Sequence, residues 1–71
     1  MNTKMLKYLV ELSNGTVDVI NANTFFNRFP KCPSTNNDLR TLKHLGFISI
    51  LDADNEISSI GVNKKAIDYF K

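Results

Sequence analysis

Seventy-one residues with 42% apolar content and five Phe suffice for one small domain, residues 1–71, and leave no room for a separate catalytic one. No run approaches the roughly 18 apolar residues of a membrane span, the N-terminal stretch lacks the apolar core of a secretory signal, and one cysteine allows no internal disulfide, so a soluble cytoplasmic protein held together by packing is the expectation. Net charge is only +2, too small to name a partner, but it is unevenly placed: Arg28, Lys31, Arg40 and Lys43 stand against Asp38 alone in mid-chain, whereas Asp52, Asp54 and Glu56 cluster without a base.

Asn2-Thr3 supplies a cap for a first helix whose apolar positions Met5, Leu6, Leu9, Val10 and Leu12 keep helical spacing, and Asn14-Gly15 ends it. Thr16 to Ile20 is rich in β-branched residues and too short for a helix, which predicts an extended segment able to pair with a later hairpin. Asn21 or Asn23 then caps a brief second helix through Thr24 to Phe29, closed by Pro30 because the residue before a proline is pushed out of helical geometry. Phe25, Phe26 and Phe29 cannot all lie at the centre of one helical face, so two are expected in the core and the third at its rim. Lys31-Cys32-Pro33 makes a stiff turn into a third helix.

That third helix organises the chain. Thr35 and Asp38 have the spacing of a capping box, Leu39, Leu42 and Leu45 fall on one arc, and Gly46 supplies the left-handed residue that stops it. The opposite arc carries Asn36, Asn37, Arg40, Lys43 and His44, amides and cations of the kind that hydrogen-bond base edges and neutralise phosphates. Phe47 to Leu51 and Glu56 to Ile60 flank the turn-rich Asp52-Ala53-Asp54-Asn55 and predict a β-hairpin. Asn63 then caps a last helix in which Ala66, Ile67 and Phe70 keep helical spacing.

The order helix, strand, helix, tight turn, helix, hairpin resembles the winged helix-turn-helix family over nearly the whole chain. Leu39, Leu42, Leu45, Gly46, Phe47 and Ile48 are similar to that family's recognition helix running into its wing, and Val62 to Phe70 to its post-wing segment, with Asn63 where Thr is usual and Ala66 where Gly is usual. The resemblance implies a mixed α/β, mainly α fold: a three-helix bundle with a C-terminal β-hairpin wing and a short fourth helix. It further implies a DNA-binding transcriptional regulator of bacterial or phage type, with residues 34 to 45 in a major groove of double-stranded DNA. Asn36, Asn37, Arg40 and His44 are then the base-contacting candidates, and Arg28, Lys31, Thr35, Lys43 and Lys64 the phosphate-contacting ones, with Lys65 beside them. Such readers commonly act as homodimers, for which Tyr8, Tyr69, Phe70 or the spare aromatic of the second helix would supply the patch.

The acidic hairpin tip is at odds with a phosphate-contacting wing, because like charges repel. The alternative, from a different class, is therefore a protein-binding winged helix, an adaptor or inhibitor that presents the acidic wing or the aromatic second helix. A calcium loop fails at the tip: Ile57 stands where a Gly is needed and Asn63 where a Glu is needed. With one His, one Cys and no convergent carboxylate pair, no enzyme, metal or cofactor is implied, and Cys32 reads as an inert thiol.

Overall fold

Local stop and start signals set the element lengths. In the computed structural model, which describes residues 1–71, they are helix α1 (Thr3–Leu12), strand β1 (Asp18–Asn21), helices α2 (Ala22–Phe26) and α3 (Pro33–His44), strands β2 (Ile48–Ala53) and β3 (Glu56–Val62), and helix α4 (Lys64–Tyr69). The side-chain oxygen of Asn2 accepts the Met5 N–H at 3.0 Å and starts α1. At the far end Asn14 adopts φ 56°, and the N–H groups of Asn14 and Gly15 bond to the carbonyls of Glu11 and Val10. This paired closure of orphan carbonyls recurs at the end of α3, where Gly46 (φ 86°) and Phe47 donate to Lys43 and Leu42. Between the two candidates for the α2 cap, Asn21 takes the role, its side chain accepting from the Asn23 N–H at 2.8 Å.

The start of α3 differs from the expected capping box. The helix begins at Pro33, with Cys32 in extended geometry at the cap position. Proline fits there because its ring presets a helical φ and the N–H it lacks would have had no intrahelical partner. Thr35 is thereby drawn into the first turn and buried, and Asp38 accepts a hydrogen bond from the Asn2 amide at 3.0 Å instead of reaching back along its own helix. That bond ties the N-terminus of α1 to α3. Helix α2 is also shorter than expected, ending at Phe26, with Arg28 and Phe29 in a turn that donates to the Phe25 carbonyl.

The three strands form one antiparallel sheet in the order β1-β3-β2. The segment after α1 does pair with the hairpin: Ile20, Ile60 and Ile50 stand side by side across it, as do Asp18, Val62 and Ile48. Asp54 and Asn55, both at positive φ, make the two-residue turn between β2 and β3, whose twist suits a hairpin. One irregularity follows Leu51, where Ser58 drops out of the ladder and its hydroxyl donates to the Leu51 carbonyl at 3.1 Å.

All helices lie over the sheet face that carries Ile20, Ile48, Ile60 and Val62, and one cluster forms there with Met5, Leu6, Leu9, Phe25, Leu39 and Leu42. Each fully buried Leu is worth about 1.5–3 kcal/mol relative to exposure. Phe25 is completely buried, while Phe26 and Phe29 are half-buried against the same cluster. Leu45 and Phe70, expected among the inward positions, are 40% and 37% exposed, because each sits at a helix C-cap where the chain already turns away. The other sheet face is bare: Val19 lies across Gly61 from Ser49, and Leu51 across Ser59 from Asn21.

Candidate nucleic-acid interface

Helix α3 is mounted rather than merely attached. Leu39 and Leu42 are completely buried beneath it, so its outward arc is fixed by packing. At 100° per residue that arc holds Asn37, Arg40, Thr41 and His44, with Lys43 toward one edge, all exposed. Thr41 donates its hydroxyl to the Asn37 backbone carbonyl one turn back at 3.0 Å, and the exposed Asn37 side-chain amide makes no hydrogen bond within the chain. Lys43 and His44 lie in the last turn, where the helix dipole favours positive charge. The chain forms two ion pairs, Lys31–Glu56 and Lys71–Asp68, and neither involves Arg40, Lys43 or Lys64.

Four of the nine sequence-derived contact residues sit differently from expectation. Asn36 is half-buried, with its side-chain oxygen enclosed and without a hydrogen-bond partner, so it is less available than Asn37. Thr35 is 7% exposed and its hydroxyl faces the Cys32 sulfur at 3.4 Å, which removes it from the surface a phosphate could reach. Lys31 is paired with Glu56 of the hairpin at 3.1 Å, so the acidic tip reaches back to the turn before α3. Arg28 turns toward α1, its guanidinium 4.8 Å above the Tyr8 ring. Of the two lysines that open α4, Lys64 is free, whereas Lys65 donates to the Leu45 carbonyl at 2.5 Å and lies over the Phe47 ring. Lys65 and Asn63, whose amide donates to the Gly46 carbonyl at 3.2 Å, together close the end of α3.

Cys32 is exposed at the head of α3. The Thr35 hydroxyl, then the Thr35 N–H and more weakly the Ser34 N–H, hold its thiol below the ordinary range, opposed by partial desolvation and the Asp38 carboxylate.

Sequence reasoning missed a second charged feature. Lys4, Lys7, Tyr8 and Glu11 share the outward arc of α1, and with Arg28 they line a shallow hollow of about 320 Å³. The spacing of the four α1 residues was legible as one helical face, but the arrival of Arg28 from the α2–α3 turn was not. The acids Asp52, Asp54 and Glu56 are all exposed, and no three His, Cys, Asp or Glu side chains come together in a metal-binding arrangement. No helix is long and apolar enough to cross a membrane. No protein-family model matches this sequence, and no curated protein or solved structure matches it either.

Proposed function

We propose that this chain is a winged-helix DNA-binding domain, a small transcriptional regulator of bacterial or phage type, with α3 as the helix that enters the major groove. The observation that carries the reading is the rigidly backed arc Asn37-Arg40-His44, which, with Lys43 at its edge, is exposed and free of carboxylate partners. An amide suits adenine and a guanidinium suits guanine, each bidentate contact being worth about 1–3 kcal/mol of discrimination. Lys43 and Lys64 supply phosphate contacts; Lys31 joins them only when Glu56 releases it. Paired half-sites would require a dimer, for which the exposed Tyr69 and Phe70 offer the aromatic surface. Tyr8 is less suited, being engaged by Phe25, Phe29 and Arg28.

The test is binding to random-sequence duplex DNA at two salt concentrations, with Arg40→Ala beside the parent. The expected result is affinity that falls steeply with salt, by a slope of about 0.9 per phosphate neutralised, and falls further in Arg40→Ala. No binding at low salt would overturn the reading.

A protein-binding module is the second reading, favoured by one observation. The exposed acidic tip continues into a bare sheet face on which Val19 and Leu51 are 56% and 51% exposed. Capture of a partner that is lost in Asp52→Asn/Asp54→Asn and in Leu51→Ser, with no duplex binding by the parent, would decide for it.

A further inference from the structure

We propose that the hollow between α1 and the α2–α3 turn is a phosphate site, taking a phosphomonoester or diphosphate group, independent of what α3 binds. Three cations, Lys4, Lys7 and Arg28, line it with a single carboxylate, Glu11. None of the four belongs to either ion pair of the chain, and none makes a side-chain hydrogen bond. Lys4 and Lys7, one turn apart on α1, repel one another. Lys7 and Glu11 have the spacing of a helical ion pair and do not close it within the chain. An oxyanion at this place would relieve that repulsion.

Arg28 is prepared for such a ligand. Its guanidinium carbon lies over the Tyr8 ring, 4.8 Å from the centroid, and the Tyr8 ring is itself set by Phe25 and Phe29 at centroid distances of 6.1 and 5.7 Å. Phe25 is completely buried and stacks on Phe29 at 5.3 Å, so the cation rests on an aromatic column rooted in the core. Held over the ring, the guanidinium makes no hydrogen bond or ion pair within the chain, and its N–H fork is left for two parallel bonds to an oxyanion. A hollow of about 320 Å³ is at the small end of ligand sites and accommodates a phosphoryl group better than an extended ligand. The charge selects further. Because the three cations outnumber the one resident carboxylate, attraction grows with ligand charge, and a dianion or trianion is favoured over a singly charged carboxylate.

The group is that of a soluble phosphoryl compound, and the experiment separates it from the phosphodiester of a nucleic-acid backbone, which carries one charge per phosphate. Sodium pyrophosphate is titrated into the ¹⁵N-labelled chain, with sodium chloride at matched ionic strength as reference. Saturating amide shifts centred on Lys4, Lys7, Tyr8, Glu11 and Arg28 are expected. Arg28→Gln should weaken the response about tenfold, as loss of a bidentate charged contact does, Glu11→Gln should strengthen it, and Lys64→Gln should leave it alone. Should Arg28→Gln disturb the α2 turn, Lys4→Gln and Lys7→Gln on the other element must show the same weakening. Shifts that do not saturate, that follow ionic strength, or that are equal in all these variants overturn the site. Pyrophosphate that displaces random duplex DNA from the parent but not from Lys4→Gln/Lys7→Gln would make the hollow a nucleic-acid backbone contact and overturn the proposal. Saturation without displacement, or in a chain that binds no DNA, assigns it to a soluble phosphoryl ligand.

Discussion

On α3 the exposed cations Arg40 and Lys43 stand on the outward arc of a helix beside the free amide of Asn37, whereas on α1 Lys4 and Lys7 edge a hollow into which Arg28 reaches from another part of the chain. Both faces are basic, and the side-chain types overlap. What differs is curvature and company. A convex arc offers its charges one at a time to a long ligand that runs past it, with amides between them to read what lies in a groove. A hollow turns several charges toward one small group and has no means of reading a sequence. The chain's modest net charge therefore conceals two separable basic features, and the acidic hairpin tip, tied to Lys31, stands apart from both.

The two faces share a core, and the largest effect should come from breaking it. Leu39 under α3 and Leu6 under α1 are completely buried in one cluster. Leu39→Ala should cost about 2–5 kcal/mol, seen as a lower urea midpoint at unchanged slope. Duplex binding and the pyrophosphate response should then disappear together as denaturant or temperature rises. Loss of one with the other intact would mean that the faces unfold separately.

Next comes the tie between the two helices. Asn2 caps α1 with its oxygen and holds Asp38 of α3 with its nitrogen. Asn2→Ala should cost about 1 kcal/mol as a cap alone, and a double-mutant cycle with Asp38→Ala should show a further coupling of about 0.5 kcal/mol or more. Strict additivity would mean that the bond at 3.0 Å joins the elements without stabilising them.

A smaller and more selective change is expected at the hairpin. Glu56→Gln releases Lys31, and since an exposed ion pair contributes about 1 kcal/mol at most, duplex affinity should rise less than about tenfold while the salt slope steepens by up to about 0.9. The pocket on α1 should not respond. Unaltered duplex affinity in this variant would place Lys31 away from the phosphates.

The smallest effect concerns Cys32. Its thiol pKa is lowered, chiefly by the Thr35 hydroxyl, so the thiolate fraction at neutral pH exceeds that of the same thiol without that hydrogen bond. Alkylation by iodoacetamide should accordingly have its pH midpoint below that of an unstructured cysteine peptide measured alongside. Thr35→Val, which keeps the buried shape and removes the donor, should move the midpoint up and slow the reaction at pH 7. Identical profiles for the two proteins would show that the hydroxyl does not act on the sulfur.

Much of the fold was legible from short-range chemistry. The Asn2 cap, the Asn14-Gly15 and Gly46 stops, the strand that returns to the hairpin and the helical spacing of Met5, Leu6 and Leu9 all depend on backbone preferences and on neighbours within about one or two turns. The start of α3 was read wrongly because two sound local signals competed. Proline at the first position prevailed over the capping box, and Thr35, drawn into the first turn, became buried. The candidate site was legible as a set of exposed residue types, Asn37, Arg40, Lys43 and His44, because helical periodicity fixes which side faces out once the leucines face in.

By itself, then, the sequence determined which stretches are helices and strands, where most of them stop, and which arc of α3 is polar. Only the tertiary structure decided the partners of the charged and polar groups: Arg28 on Tyr8, Lys31 on Glu56, Asp38 on Asn2 and Lys65 on the end of α3. The physical reason is range. A backbone preference or a helical face is settled within a few residues, but the partner of a long side chain depends on which elements the core brings within a few ångströms of it.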